Sequence, residues 1–174
     1  MLNIYKFHSN PDELIGYTDR NFYFGDEAKE LILQGKEVTK NVVGTLYLSG
    51  TAITALPDNL TVHGDLYLSG TAITALPDNL TLTVGVTLYL SGTPITALPD
   101  NLTVHGTLDL DGTAITALPD NLTVQGDLYL GGTQITALPD NLKVSGNLWI
   151  NSTPNLDTNN LPSSLVVKGT IYHV

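Results

Sequence analysis

The chain of 174 residues contains no cysteine. Disulfide bonds and thiolate sites for metals or redox chemistry are therefore excluded. No apolar run approaches the roughly 18 residues that a membrane-spanning helix needs, and the first residues lack the apolar core and cleavage site of a secretory signal. The sequence predicts a cytoplasmic protein that does not bind membranes, with secretion as an effector by a non-Sec route left open.

Lysine and arginine are absent from residues 41–142, where nine aspartates are the only acidic residues. The net charge of the whole chain is −10. A surface this acidic repels nucleic-acid phosphates, so direct binding of DNA or RNA is not expected. The same charge favours a protein partner with a basic surface.

Recognisable catalytic and cofactor motifs are also missing. There is no phosphate-binding glycine loop and no HExxH pair, and the glycines of the SG, DG and GG pairs are typical of turns. His63 and His105 hold equivalent positions two repeats apart, about 9.6 Å by strand spacing, which is too far for one metal ion. The sequence predicts a protein that is not an enzyme and needs no cofactor or metal.

A repeat of about twenty residues dominates the rest of the sequence. The threonine that opens the segment T-x-I-T-x-L-P recurs at spacings of 20, 22, 20, 20 and 20. These threonines are Thr51, Thr71, Thr93, Thr113, Thr133 and, in a degenerate copy, Thr153. An additional Leu-Thr pair within residues 79–86 produces the spacing of 22 and predicts a bulge in the third coil.

Within one repeat, residues 62–68 alternate between apolar and polar, which predicts a strand. Val62, Leu66 and Leu68 would face inward, and His63, Asp65 and Tyr67 outward. The segments SGT and PDN form turns, and no stretch has an apolar helical face. A single coil cannot bury its apolar row, whereas stacked coils can. We therefore expect a mainly β, parallel solenoid of about seven coils over residues 41–174, with threonine and asparagine ladders at its corners.

Residues 1–40 do not repeat and are expected to form a small α/β cap on the first coil. Residues 26–35 predict a helix with Asp26 as N-cap and Gly35 as its end. Its apolar face would contain Ala28, Leu31 and Ile32.

The segment LYLSGTAITALP (residues 66–77) resembles the bacterial leucine-rich-repeat pattern L-x-V-x-x-N-x-L-x-x-L-P. Short repeats of this type occur in enterobacterial effectors and in prophage-encoded proteins. The resemblance covers roughly residues 41–174, with threonine at the usual asparagine position. It implies a leucine-rich-repeat solenoid that binds a protein through its strand face, encoded by a bacterium or phage and inhibiting a host protein. The effectors' ubiquitin-ligase domain, with its catalytic cysteine, has no counterpart in this chain.

The outward strand position equivalent to Tyr67 is aromatic in nearly every coil, and aspartates flank it. Exposed aromatic side chains contribute binding energy, and acidic groups steer a basic partner. Aromatic residues also stack in sheets for structural reasons alone, and that alternative stays open. The predicted partner-binding residues are Tyr47, Asp65, Tyr67, Tyr89, Asp109, Asp111, Asp127, Tyr129 and Trp149.

A different function class would use the aspartates of the PDN turns, as an acidic DNA mimic that inhibits a nucleic-acid-binding protein. Neighbouring charges about 4.8 Å apart repel by only about 0.9 kcal/mol in water, so a repeated Pro-Asp-Asn turn explains them without a ligand. These residues are Asp58, Asp78, Asp100, Asp120 and Asp140.

A third class is a structural or assembly protein. The last strand-like segment has no coil after it, and an uncovered strand edge invites pairing with a second copy. The expected homodimer contacts are Ile171, Tyr172 and Val174.

Overall fold

A computed structural model describes residues 22–38, 41–83, 86–100 and 102–173 of the chain. These residues form a mainly β, parallel solenoid of about seven turns with little helix, which confirms the predicted fold class. Within these ranges, no helix is long and apolar enough to cross a membrane. The elements are β1 (Phe22–Phe24), α1 (Gly25–Leu33), β2 (Asn41–Val43), β3 (Leu46–Tyr47), β4 (Thr61–Val62), β5 (Leu66–Tyr67), β6 (Thr81–Leu82), β7 (Leu88–Tyr89), β8 (Thr103–Val104), β9 (Leu108–Asp109), β10 (Thr123–Val124), β11 (Leu128–Tyr129), β12 (Lys143–Val144), β13 (Leu148–Trp149), β14 (Val166–Val167) and β15 (Ile171–Tyr172).

Each coil carries two short strands in different sheets, rather than the single strand that the alternation predicted. In the second coil, a bend at His63 and Gly64 separates β4 from β5. The second strands form a seven-stranded parallel sheet in the order β15-β13-β11-β9-β7-β5-β3. The first strands form two four-stranded sheets, β1-β2-β4-β6 and β14-β12-β10-β8. The division between these two sheets coincides with the additional Leu-Thr pair of the third coil.

The apolar rows of successive coils stack into one core. Val62, Leu66 and Leu68 have no exposed surface, as the alternation predicted. Backbone hydrogen bonds join the coils: the Leu66 N–H donates to the Thr87 carbonyl at 2.9 Å and the Leu68 N–H to the Tyr89 carbonyl at 2.8 Å. Each fully buried leucine contributes about 1.5–3 kcal/mol relative to an exposed one, so the stacked leucine rows hold the solenoid together.

A column of glycines allows the coils to approach closely at the bend between the two strands. A Cβ atom built on Gly126 would lie 2.7 Å from the carbonyl carbon of Gly106 in the preceding coil. Gly146 meets the backbone of Gly126 in the same way, also at 2.7 Å. At these positions the bend requires a residue without a side chain, whereas the third coil has Val86 at the equivalent position, against which Gly106 packs.

The opening threonine of each repeat closes a turn within its own coil. The Thr113 hydroxyl donates to the Leu110 carbonyl at 2.8 Å, and the other five equivalent threonines make the same bond at 2.6–2.7 Å. The predicted threonine ladder between coils is therefore wrong at this corner. The asparagine ladder exists between Asn59 and Asn79, whose side-chain amides are bonded at 2.8 Å.

The helix α1 lies on the first coil. Ala28 and Ile32 are buried, as predicted, and Leu31 packs partly buried against the core. The N-cap is Phe24, not Asp26, because the chain enters the helix from β1, which pairs with β2. The Glu27 carboxylate accepts the Phe24 N–H at 2.9 Å. Residues 1–21, 39 and 40 of the expected cap lie outside the described residues.

We predict that Thr113→Val destabilises the protein by about 1 kcal/mol, because valine keeps the shape of threonine but cannot donate to the Leu110 carbonyl. Thr116→Val, at an exposed position three residues later, should stay within about 0.5 kcal/mol of wild type. Urea denaturation measures both values. Equal effects of the two substitutions would show that the buried hydroxyl does not stabilise the turn.

We predict that Gly126→Ala lowers the free energy of unfolding by about 1–3 kcal/mol or more, because the new methyl group meets the backbone of the preceding coil. Gln125→Ala changes the exposed neighbouring side chain and serves as the control, with a change below about 0.5 kcal/mol. Thermal unfolding of both variants tests this. An unchanged melting temperature for Gly126→Ala would contradict the close approach of the coils.

Candidate functional site

The outward residues of the seven-stranded sheet form a single column, one residue per coil. Pairing in register places each member beside its equivalent in the next coil. We call this set the aromatic column: Tyr47, Tyr67, Tyr89, Asp109, Tyr129, Trp149 and Tyr172. The structure thus brings together on one face all the aromatic residues that the sequence predicted as partner-binding.

The rings of the aromatic column form two stacks. In the first, Tyr47 and Tyr67 have ring centroids 4.7 Å apart, and Tyr67 and Tyr89 have centroids 4.3 Å apart at an angle of 15°. In the second, Tyr129 and Trp149 lie 5.6 Å apart at 7°. Trp149 and Tyr172 lie 3.8 Å apart. Asp109 separates the two stacks, so the column presents two rigid aromatic surfaces with an acidic gap between them.

Asp65 and Asp127 flank the column and also hold neighbouring coils together. Oδ1 of Asp65 accepts the Thr87 N–H at 2.8 Å. Oδ1 of Asp127 accepts the Asn147 N–H at 2.7 Å. These bonds extend the backbone ladder of the sheet by one step, a role that sequence reasoning missed. The Tyr129 hydroxyl lies 3.4 Å from Oδ2 of Asp127.

Asp109 and Asp111 lie together at the gap in the column. Oδ1 of Asp109 accepts the Asp111 N–H at 3.1 Å, and Oδ1 of Asp111 accepts the Gly131 N–H at 2.6 Å. A Cβ atom on Gly131 would lie 3.1 Å from that Asp111 oxygen, so glycine keeps room for the carboxylate. In both carboxylates one oxygen is held by backbone, which sets the orientation of the group on the strand face.

Burial and neighbouring carboxylates disfavour the negatively charged forms of the ionisable side chains at the gap. Burial, together with the neighbouring Asp109 charge, raises the pKa of Asp111, although the Gly131 N–H opposes this shift. Burial and then the Asp127 carboxylate raise the pKa of the Tyr129 hydroxyl. In the first stack, a hydrogen bond with Tyr89 is the main cause of the raised pKa of Tyr67. The carboxylates of Asp109, Asp111 and Asp127 thus place negative charge at the gap, and this charge, together with burial, raises the pKa of Asp111 and of Tyr129.

Two buried polar atoms have no hydrogen-bond partner within the described ranges: Nδ1 of His105 and Nε1 of Trp149. Trp149 belongs to the second stack. Its aromatic ring could be recognised from the sequence, but the burial of Nε1 could not be predicted from it. In the part of the chain that the structure covers, no group of three or more His, Cys, Asp or Glu residues could hold a metal ion.

Among the described residues predicted for the two other function classes, Tyr172 alone belongs to the aromatic column. The aspartates of the PDN turns are all exposed and are separate from the aromatic column: Asp58, Asp78, Asp100, Asp120 and Asp140. Ile171 and Tyr172 form the outermost strand of the seven-stranded sheet, where Ile171 is half-buried and Tyr172 is 39% exposed. Val174, the third predicted dimer contact, lies outside the described residues.

Comparison with protein-family models finds no match, and neither does comparison with curated proteins.

We predict that Asp111→Asn stabilises the protein at pH 7. The raised pKa means that the folded state binds a proton more strongly than the unfolded state, so stability falls as the pH rises from about 3.9, the ordinary value, through the raised value. Asparagine keeps the oxygen that accepts the Gly131 N–H and removes the charge. A gain of roughly 1–3 °C in melting temperature is expected at pH 7, the shift that up to about 1 kcal/mol produces.

The gain should disappear below about pH 4, where the aspartate is protonated in both states. Asp78→Asn removes the same charge at an exposed corner and is the control, with a smaller gain. Melting curves from pH 3 to 8 measure both variants. A gain from Asp111→Asn that is the same at all pH values would contradict the assigned cause.

Proposed function

We propose that the protein is a non-enzymatic interaction module that binds a basic protein partner through its strand face. The observation that carries this proposal is the pair of partly exposed aromatic stacks bordered by carboxylates. Tyrosine and tryptophan are the residues most often found at the energetic centre of protein interfaces. Residues 41–142 contain no lysine or arginine, so nothing on this part of the chain competes with basic groups of a partner.

The rigidity of the face favours binding. The central rings, Tyr67 and Trp149, are each stacked on both sides. The carboxylates of Asp65, Asp111 and Asp127 are each held by one backbone N–H. Side chains that are already ordered lose little conformational entropy when a partner docks. The net charge of −10 adds a long-range attraction that speeds the encounter with a basic protein.

The resemblance to bacterial leucine-rich repeats extends this proposal to the biological setting. Such proteins use the strand face of the solenoid to bind, and the prophage-encoded examples suggest a phage or bacterial protein that inhibits a host protein. The hydrogen bond from each opening threonine to the carbonyl three residues before it supplies a reason why threonine can replace asparagine in the pattern. The leucine-rich-repeat relationship and the inhibitory role are part of the proposal.

An affinity pull-down from bacterial lysate tests the binding face. Tyr67→Ala combined with Trp149→Ala removes the centre of each stack, and loss of interface anchors of this type costs about 2 kcal/mol or more each. The combined loss of about 4 kcal/mol corresponds to an affinity on the order of a thousandfold weaker. We therefore expect the double variant to retain its fold and to capture almost none of the partner.

Two matched variants complete the experiment. Thr74→Ala combined with Thr116→Ala changes exposed residues beyond the turn that follows the strand, and should capture the partner like wild type. Asp78→Asn combined with Asp120→Asn changes the corner aspartates and should also have little effect. If the corner variant loses the partner and the aromatic variant keeps it, the strand face is not the binding surface and the DNA-mimic function is favoured.

A further inference from the structure

The gap in the aromatic column is the size of one ring. Register places Asp109 directly between Tyr89 and Tyr129, one coil from each. Two steps of strand spacing separate these tyrosines by about 9.6 Å. Planar groups in contact lie about 3.5–4.0 Å apart, and rings in the first stack already lie 4.3 and 4.7 Å apart. One planar group therefore fits between the two stacks with a ring on either side.

The fourth coil departs from the repeat at both outward positions of this strand. Asp109 stands where five other coils have tyrosine and one has tryptophan, and Asp111 stands where the first three coils have serine. The aspartate side chain is shorter than tyrosine, so its carboxylate lies at the base of the gap. The same substitution thus removes a ring and adds a negative charge at that point.

The charges around the gap select a cation. Asp111 and Asp127 lie beside Asp109 on the same face, and each of the three carboxylates has one oxygen committed to a backbone N–H. The remaining oxygens of Asp109 and Asp111 can accept from a ligand. The nearest lysine in the sequence after these residues is Lys143, on the first strand of a later coil and in a different sheet.

We propose that the gap between Tyr89 and Tyr129 is a binding slot for an arginine side chain of the basic partner, an inference that rests on the strand-face function proposed above. The guanidinium would complete the aromatic column as its missing planar member. Its faces would stack on the two tyrosine rings, and its N–H groups would donate to the carboxylates of Asp109 and Asp111.

Arginine suits the slot better than lysine for two physical reasons. Its guanidinium is planar and weakly hydrated, so it stacks between rings at a low cost of desolvation. It also presents several N–H donors in a fixed fork, which matches a pair of carboxylates. The ammonium group of lysine is compact and strongly hydrated and cannot bridge two parallel ring faces.

An NMR titration with arginine amide tests the slot without knowledge of the partner. Saturable shifts are expected for the amides of Asp109, Asp111 and Gly131, and for the ring signals of Tyr89 and Tyr129. A single side chain should bind with a dissociation constant on the order of 1–10 mM. Lysine amide has the same charge, and we expect it to bind roughly fivefold or more weakly.

Asp109→Tyr is the decisive variant. Tyrosine occupies this position in other coils, so the variant should fold, with the missing ring restored and the slot filled. Arginine amide should then no longer shift the signals of Gly131 and Tyr129. Asp78→Asn removes one charge at a corner and should bind arginine amide like wild type, which separates the slot from net charge.

Equal binding of arginine amide and lysine amide would overturn the proposal. Undiminished binding of arginine amide by Asp109→Tyr would also overturn it, as would unchanged NMR signals of the wild-type protein at the highest soluble concentration of arginine amide. In the pull-down, Asp109→Tyr separates this inference from the function on which it rests. Retained capture by Asp109→Tyr, with loss in the Tyr67→Ala and Trp149→Ala variant, would refute the arginine slot and leave the strand-face function standing.

Discussion

The close approach of successive coils is the constraint on which the structure depends. Parallel backbone hydrogen bonds of 2.7–3.3 Å join one coil to the next, and glycine at the bend of most coils keeps side chains out of this close approach. This spacing turns twenty-residue segments, none of which could bury an apolar row alone, into one continuous leucine core. It also sets the distance at which outward side chains meet their equivalents.

The candidate site is a direct consequence of the same spacing. A distance of about 4.8 Å between strands is close to the contact distance of aromatic rings, so one tyrosine per coil becomes a stack. Oδ1 of Asp65 and Asp127 can reach a backbone N–H of the next coil for the same reason. These aspartates therefore serve both the sheet and the acidic surface. The fourth coil, where Asp109 replaces a ring, interrupts the stack without interrupting the sheet.

The repeat made much of the fold predictable. Its period and alternation were sufficient to predict the parallel solenoid, the inward leucines and the outward aromatic column, because these features follow from the spacing of residues alone. The division of each coil into two strands was not predictable in this way, because it depends on how closely Gly64 approaches the backbone of Gly44. The hydroxyl bond of Thr113 was missed because a threonine at a turn can bond to backbone within its own coil as well as between coils.

The site was predictable in composition but not in detail. The column of aromatic residues could be read from the sequence, whereas the carboxylate bonds at Asp111 and Asp127 depend on side-chain orientation. The N-cap at Phe24 likewise depends on pairing between β1 and β2, which lie 17 residues or more apart in sequence. Long-range pairing of this kind leaves no local signal, so Asp26 was the residue favoured by local preference.

Hydroxyl-radical footprinting of the protein with its captured partner tests the central claim, that the strand face is the binding surface. Exposed tyrosine and tryptophan side chains react in the free protein, and a partner docked on the face should shield them. The account predicts that modification of Tyr47, Tyr129 and Trp149 falls on binding, while that of Tyr23, beside the helix, does not change. Unchanged modification of the aromatic column in a saturated complex would contradict it.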